Sequence, residues 1–174
     1  GIGEKTAQKL LSHFGSVKKI KEAEQTEIVD LVGLKIAQKL EDKRGIILCY
    51  DKWGGIEMNN ANFRKALHYY SIADSLLQDM DWPREQAIIY GNYAGIYKDI
   101  GLYDSAIIWN SKFIAIADSI DNQQFMGYGL GVTGDTYQVK GQYNIAARYH
   151  MQSLRIFEQI NDESRMADAH LKLG

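Results

Sequence analysis

Four small residues, Gly54, Ala94, Gly134 and Gly174, stand forty positions apart, and the residues around them recur at the same interval. The string Tyr97-x3-Gly101-x-Tyr103-x2-Ala106 returns as Tyr137-x3-Gly141-x-Tyr143-x2-Ala146, and Phe63 and Ala66 echo its tail one period earlier. A fixed period of this length implies one supersecondary unit copied along the chain, each copy burying its apolar face against the next. The recurring residues are small and aromatic packing positions. The pattern therefore says more about how a partner is held than about any reaction.

In frames of forty, the segments open at Glu41, Asp81, Asp121 and Asn161, acidic or amide residues suited to a turn or a helix N-cap. Each frame carries two stretches with helical spacing. In the second frame Ile88, Tyr90, Tyr93, Ala94 and Tyr97 precede a break at Asp99-Ile100-Gly101, and Ala106, Trp109, Phe113, Ile116 and Ile120 follow it. The expectation is one helical hairpin per frame, an all-α array over residues 41–174 with repeats 41–80, 81–120, 121–160 and a partial 161–174. Ala94 and Ala106 let the paired helices approach closely, and Tyr97 and Tyr103 fill the space beside the Gly101 turn. A single proline in 174 residues fits long uninterrupted helices.

Composition narrows the function classes. Apolar residues make up 45% of the chain, enough for a core. The longest apolar run, Ile46-Ile47-Leu48-Cys49-Tyr50, is too short for a membrane span, and the N-terminus lacks a charged-then-apolar signal segment. One cysteine, Cys49, excludes an internal disulfide framework and agrees with a reducing compartment, so a cytoplasmic location is expected. The net charge of −2 hides an asymmetry: residues 1–40 hold seven lysines against five acids, and the remainder thirteen basic against seventeen acidic residues. The chain begins at Gly1 rather than Met and ends at Gly174, within a repeat's first helix, so both ends are expected to be cut, as in a fragment, a processed product or an engineered chain.

The forty-residue pattern resembles the tetratricopeptide repeat family in a long-helix form. The family's small-residue column falls on Gly54, Ala94, Gly134 and Gly174, its turn glycine on Gly101 and Gly141, its post-turn aromatic on Phe63, Tyr103 and Tyr143, and its second-helix alanine on Ala66, Ala106 and Ala146. The first repeat departs from it, with Ala61 for the turn glycine and Glu57 for the first-helix tyrosine. The resemblance implies a right-handed solenoid of hairpins that holds a protein or peptide in a groove lined by the first helices. The groove-facing residues would be Leu48, Asp51, Gly55 and Met58, then Ile88, Gly91, Gly95 and Lys98, then Tyr128, Gly131, Asp135 and Gln138. Where the family clamps a C-terminal carboxylate with lysine and asparagine, this chain has aspartate and glycine, which argues against chaperone-tail recognition. The alternative is a merely solvated face, or one that packs against whatever follows Gly174.

Upstream, Gly3-Glu4-Lys5-Thr6-Ala7-Gln8-Lys9-Leu10 and Gly33-Leu34-Lys35-Ile36-Ala37-Gln38-Lys39-Leu40 agree at six positions, each preceded by an apolar residue. A glycine just before a helix exposes free amide N–H groups, which together with the positive end of the helix dipole receive a phosphate. The segment resembles the small tandem helix-hairpin-helix module that ends the incision component of the bacterial nucleotide-excision-repair excinuclease. The resemblance includes the Gly1-Ile2-Gly3 hairpin and the connector Leu10-Leu11-Ser12-His13-Phe14-Gly15-Ser16. It implies sequence-independent contacts to the DNA backbone from Gly1, Gly3 and Gly33, supported by Lys5, Lys9, Lys35 and Lys39. Leu31 stands where the second hairpin's first glycine belongs, and the helix that should precede Gly1 is absent from the sequence. The alternatives are a purely structural helical cap on the array, and a fusion joined near Leu40-Glu41. Lys35 through Lys52 reads as one helix across that join.

Signals for chemistry are few. Gly129-Leu130-Gly131-Val132-Thr133-Gly134 spells a dinucleotide fingerprint but falls inside a repeat helix without a preceding strand. It marks instead a helix that bends or is closely approached, by a ligand for example. His13, His68, His150 and His170 share no metal-ligand spacing with one another or with Cys49, and are expected at the surface or half-buried. Asp118 with Asp121 and Asp79 with Asp81 read as solvated helix ends, Trp53 and Trp109 as core, and Trp82 beside Pro83 as packing between hairpins. The reading is a non-enzymatic binding scaffold without metal, cofactor or membrane partner: a protein in the groove, and DNA through residues 1–40.

Overall fold

The computed structural model describes Ser12 and residues 43–78 and 80–173, and the chain divides into two compact units, Gly1–Met80 and Asp81–Gly174. Glu41, Asp79, Gly174, His13 and residues 35–42 of the Lys35–Lys52 helix expected across the join lie outside the described residues. In the first unit α1 (Lys43–Asn59) pairs with α2 (Phe63–Leu77). In the second, α3 (Pro83–Asp99) pairs with α4 (Tyr103–Ser119), α5 (Gln123–Val139) with α6 (Tyr143–Gln159), and α7 (Glu163–Leu173) packs on α6. Among the described residues every element is an α-helix. The arrangement is that of tetratricopeptide-like helical hairpins.

The period of forty has a simple origin in the second unit. Helices of seventeen residues alternate with turns of three, so α3, α5 and α7 start at Pro83, Gln123 and Glu163. Each turn closes in one way. After α3, Gly101 N–H donates to Lys98 C=O (3.0 Å) and Leu102 N–H to Tyr97 C=O (2.8 Å), the paired bonds of a Schellman ending, with Gly101 left-handed at φ 81°. The same pair of bonds recurs around Ala61, Asp121, Gly141 and Asn161, all with φ between 50° and 77°. Asp121 and Asn161 are thus left-handed residues that end helices, so of the two places expected, a turn or an N-cap, they take the turn. Capping falls one residue later: Asn122 Oδ1 accepts from Phe125 N–H (2.9 Å) and Asp162 Oδ1 from Arg165 N–H (3.1 Å). Trp82, not Asp81, stands at the start of α3, and Pro83 in the first turn needs no hydrogen-bonded N–H.

The small-residue column explains how closely the hairpins close. A Cβ on Gly54 would come 2.4 Å from the Tyr70 ring, and one on Gly134 would come 2.6 Å from the His150 imidazole. Tyr70, Asn110 and His150 are themselves spaced by forty, and in the repeat whose second helix carries the smaller Asn110 at this register the column carries Ala94. Ala66, Ala106 and Ala146 are buried on the second helices. The glycine-rich run of α5 serves the same end. A Cβ on Gly129 would meet Ile114 (2.5 Å) and Phe113 (2.9 Å), and one on Gly127 would meet Phe157 (2.8 Å), so α4 and α6 seat their side chains against bare backbone. What approaches this helix closely is its neighbours. Asn110 completes the junction by donating from Nδ2 to Gly129 C=O and Thr133 Oγ1, both at 2.6 Å.

Two side chains depart from expectation. Trp53 is 37% exposed rather than core, its ring lying against Tyr50 (5.8 Å) and Tyr69 (5.5 Å) of its own hairpin. His150 is 3% exposed rather than a surface or half-buried residue, because the missing side chain at Gly134 draws its ring into the hairpin interior.

Candidate functional site

First helices place one residue face of each hairpin outside the hairpin core. In the second unit this face carries Ile88, Gly91 and Lys98 from α3, and Tyr128, Gly131, Asp135 and Gln138 from α5, and these seven line three adjoining depressions. Tyr128 and Arg165 border both the first and the second depression, Asp135 and Lys172 both the second and the third. Tyr128, 44% exposed, rests edge-on against Phe113 (6.1 Å) with the Arg165 guanidinium 5.3 Å over its ring. Gly95 is half-buried on the same helix as Lys98.

Charge on this face is mixed. Asp135 pairs with Lys172 (2.8 Å) and lies 3.8 Å from His150 Nε2. Burial pushes the His150 imidazole below the ordinary histidine value; Asp135 opposes that shift and Lys172 reinforces it. His150 Nε2 is a buried polar atom without a hydrogen-bond partner, whereas Asp135 Oδ1, also buried, is the atom held by the Lys172 ion pair. Ser153 Oγ donates to Gly127 C=O at 2.7 Å. Among the described residues no group of three or more His, Cys, Asp and Glu is placed to hold a metal ion, and no helix is long and apolar enough to cross a membrane.

In the first unit Leu48, Asp51, Gly55 and Met58 are half-buried on α1. Asp51 and burial together raise the Tyr70 hydroxyl far above its usual value, burial being the larger cause. Among the described residues of this unit, a depression is lined by Trp53, Ile56, Glu57 and Tyr69. Gly1, Gly3, Lys5, Lys9, Gly33, Lys35 and Lys39 lie outside the described residues.

Sequence reasoning missed the contribution of α7. Asp168 stands forty residues beyond Tyr128, so extending the register by one frame would have found it; Arg165 and Lys172, which flank it at one helical turn on either side, fall outside that register. His150 and Ser153 reach the same depression from α6.

Comparison with known proteins divides along the chain. Residues 1–42 match the SAM-like helix-hairpin-helix tandem family. Over the same segment the chain is 52% identical across 42 residues to UvrABC system protein C of Flavobacterium psychrophilum, covering 24% of this chain and 7% of that protein. It is 64% identical across 33 residues to the corresponding protein of Christiangramia forsetii, covering 19% and 6%. The chain thus spans less than a tenth of these curated relatives. By fold it is similar to the N-terminal domain of stress-induced protein-1 (STI-1) from C. elegans, with a TM-score of 0.59, 15% identity and coverage of 76% of this chain and 98% of that one. It is also similar to BtubC (BKLC) from P. vanneervenii, with a TM-score of 0.66, 19% identity and coverage of 87% and 60%. A helix-hairpin-helix sequence segment therefore precedes helices of tetratricopeptide-like fold.

Proposed function

We propose that this chain is a non-enzymatic, cytoplasmic binding scaffold that holds a protein segment along the α3–α5–α7 face and contacts the DNA backbone, without reading sequence, through residues 1–40. One observation carries the first part: seven residues chosen from the forty-residue register line adjoining depressions on one face. The face offers apolar and aromatic anchors, Ile88 and Tyr128, beside separated charges, which suits a peptide rather than a small charged metabolite. The DNA-binding part is supported by the helix-hairpin-helix match over residues 1–42 and by the lysine excess there.

The face is tested by selecting random phage-displayed peptides on the intact chain and re-measuring the selected sequences on Ile88→Glu. Ile88 is 37% exposed, so the substitution leaves the fold intact by circular dichroism. Affinity is expected to drop about tenfold or more, as for loss of an interface anchor. Selected peptides that bind the variant as tightly as the original chain would remove the face from the account.

A further inference from the structure

The depression of about 310 Å³ between α5, α6 and α7 has a counterpart forty residues earlier, between α3, α4 and α5. That earlier one is floored by Phe113 and Phe125, whose ring centroids lie 5.4 Å apart, and does not reach Asn110. In the later cleft Ser153 and Arg165 stand in place of the two phenyl rings, so it reaches down to His150 and Ser153. The repeat has exchanged an aromatic floor for a polar one.

One atom at this cleft is incomplete. His150 Nε2 is buried without a hydrogen-bond partner, 3.8 Å from Asp135 Oδ1, which the Lys172 ammonium holds at 2.8 Å, and the imidazole is almost fully enclosed. Groups left so are destabilising until something completes them. A phenolic hydroxyl has the needed valences, donating its proton to the Asp135 carboxylate while accepting from His150 Nε2–H. The hydroxyl would share the Asp135 carboxylate with Lys172, whose chain is half-exposed. The lining charges balance, Asp135 and Asp168 against Arg165 and Lys172, which favours an uncharged guest. Arg165 already lies over the Tyr128 ring and presents its guanidinium to a second aromatic face, while Phe157 supplies an apolar wall.

From this geometry we infer that the α5–α6–α7 cleft is a pocket for one tyrosine side chain of a partner peptide, its ring where the earlier repeat keeps its own phenyl rings and its hydroxyl between Asp135 and His150. The inference rests on the peptide-holding reading of the α3–α5–α7 face. The depressed proton affinity of His150 keeps the imidazole neutral near pH 7, consistent with an uncharged guest.

The test is an NMR titration of the ¹⁵N-labelled intact chain with N-acetyl-tyrosinamide, N-acetyl-phenylalaninamide and the O-phosphorylated tyrosine amide. The tyrosine amide is expected to shift the amides of Gly127, Gly131, Ser153 and Ala169. It should bind roughly fivefold tighter than the phenylalanine amide, a ratio in the range of one net hydrogen bond, and the phosphorylated form should bind more weakly. Arg165→Phe, on an exposed position, and Ser153→Phe each restore a ring of the earlier repeat and should abolish the response. Because Ser153→Phe also alters a buried site, Arg165→Phe keeps the test decisive if the former misfolds. Equal binding of the tyrosine and phenylalanine amides, tighter binding of the phosphorylated amide, shifts confined to other helices, or an unaltered response in Arg165→Phe would each overturn the assignment. If the tyrosine amide fails here while selected peptides still lose affinity on Ile88→Glu, the cleft assignment falls and the peptide-holding face stands; failure of the face itself appears only in the peptide selection.

Discussion

At the scale of single residues, the column Gly54, Ala94 and Gly134 varies in step with what it faces: glycine opposite Tyr70 and His150, alanine where the second helix carries Asn110. The column was legible because its members are all small. The facing column was not, since Tyr70, Asn110 and His150 share a position but no chemistry, and identity matching passes over them. The packing makes a specific prediction. Gly134→Ala gains about 1 kcal/mol of helix propensity but places a methyl group 2.6 Å from an enclosed imidazole, so a net loss of about 1–2 kcal/mol is expected from overpacking. Adding His150→Asn, which copies the Ala94–Asn110 pair, should recover part of that loss, and urea denaturation of the four-member mutant cycle measures the coupling. Strict additivity would show that the two residues do not oppose each other. The same imidazole makes stability depend on pH. Its folded value lies below the unfolded value of about 6.5, so between the two the unfolded chain binds more protons. The contribution is complete above about pH 6.5 and is lost as pH falls towards the folded value. The urea midpoint should therefore fall between about pH 7.5 and about pH 5.5, and by less in His150→Asn than in a control at exposed His170. Equal slopes in all three proteins would contradict this.

At the scale of the element, each helix–turn junction described around Ala61, Gly101, Asp121, Gly141 and Asn161 ends in a left-handed residue with the same two backbone bonds. Glycine at positions 101 and 141 announced two of these turns in the sequence. At Asp121 and Asn161 the sequence left a turn and an N-cap both open, because conformation recurs every twenty residues along α3–α7 while residue identity recurs every forty, and aspartate and asparagine suit either place. Helix count and pairing were readable from periodicity, whereas the burial of His150 and the exposure of Trp53 depended on neighbours that no single helix encodes. Ala61, at φ 57°, bears the strain that glycine avoids. Gly101→Ala should cost about 1–2 kcal/mol and lower the melting temperature by about 2–6 °C. Ala61→Gly relieves the same strain but frees the unfolded chain by about 0.4–1 kcal/mol, leaving a small net gain of at most about 1 kcal/mol. Thermal melts of the two variants check this; a stabilised Gly101→Ala would refute the turn assignment.

At the scale of the whole molecule, the chain carries opposite charge tendencies in sequence order: a lysine excess in residues 1–40, where the helix-hairpin-helix match lies, and an acid excess beyond. The proposed scaffold would hold nucleic acid by phosphate contacts through residues 1–40 and a protein segment on the α3–α5–α7 face. Phosphate contact releases counterions and is blind to base sequence, so the expected signature is weak binding that falls steeply with salt. The most direct test of this two-partner account is fluorescence anisotropy of a labelled DNA junction titrated with the intact chain and with a Lys5→Glu, Lys35→Glu double variant. The account predicts a dissociation constant on the order of 10⁻⁴ to 10⁻⁶ M near physiological salt for the intact chain, the same for unrelated base sequences, and loss of binding in the variant. Undiminished binding by the variant, or no binding by the intact chain even at low salt, would contradict it.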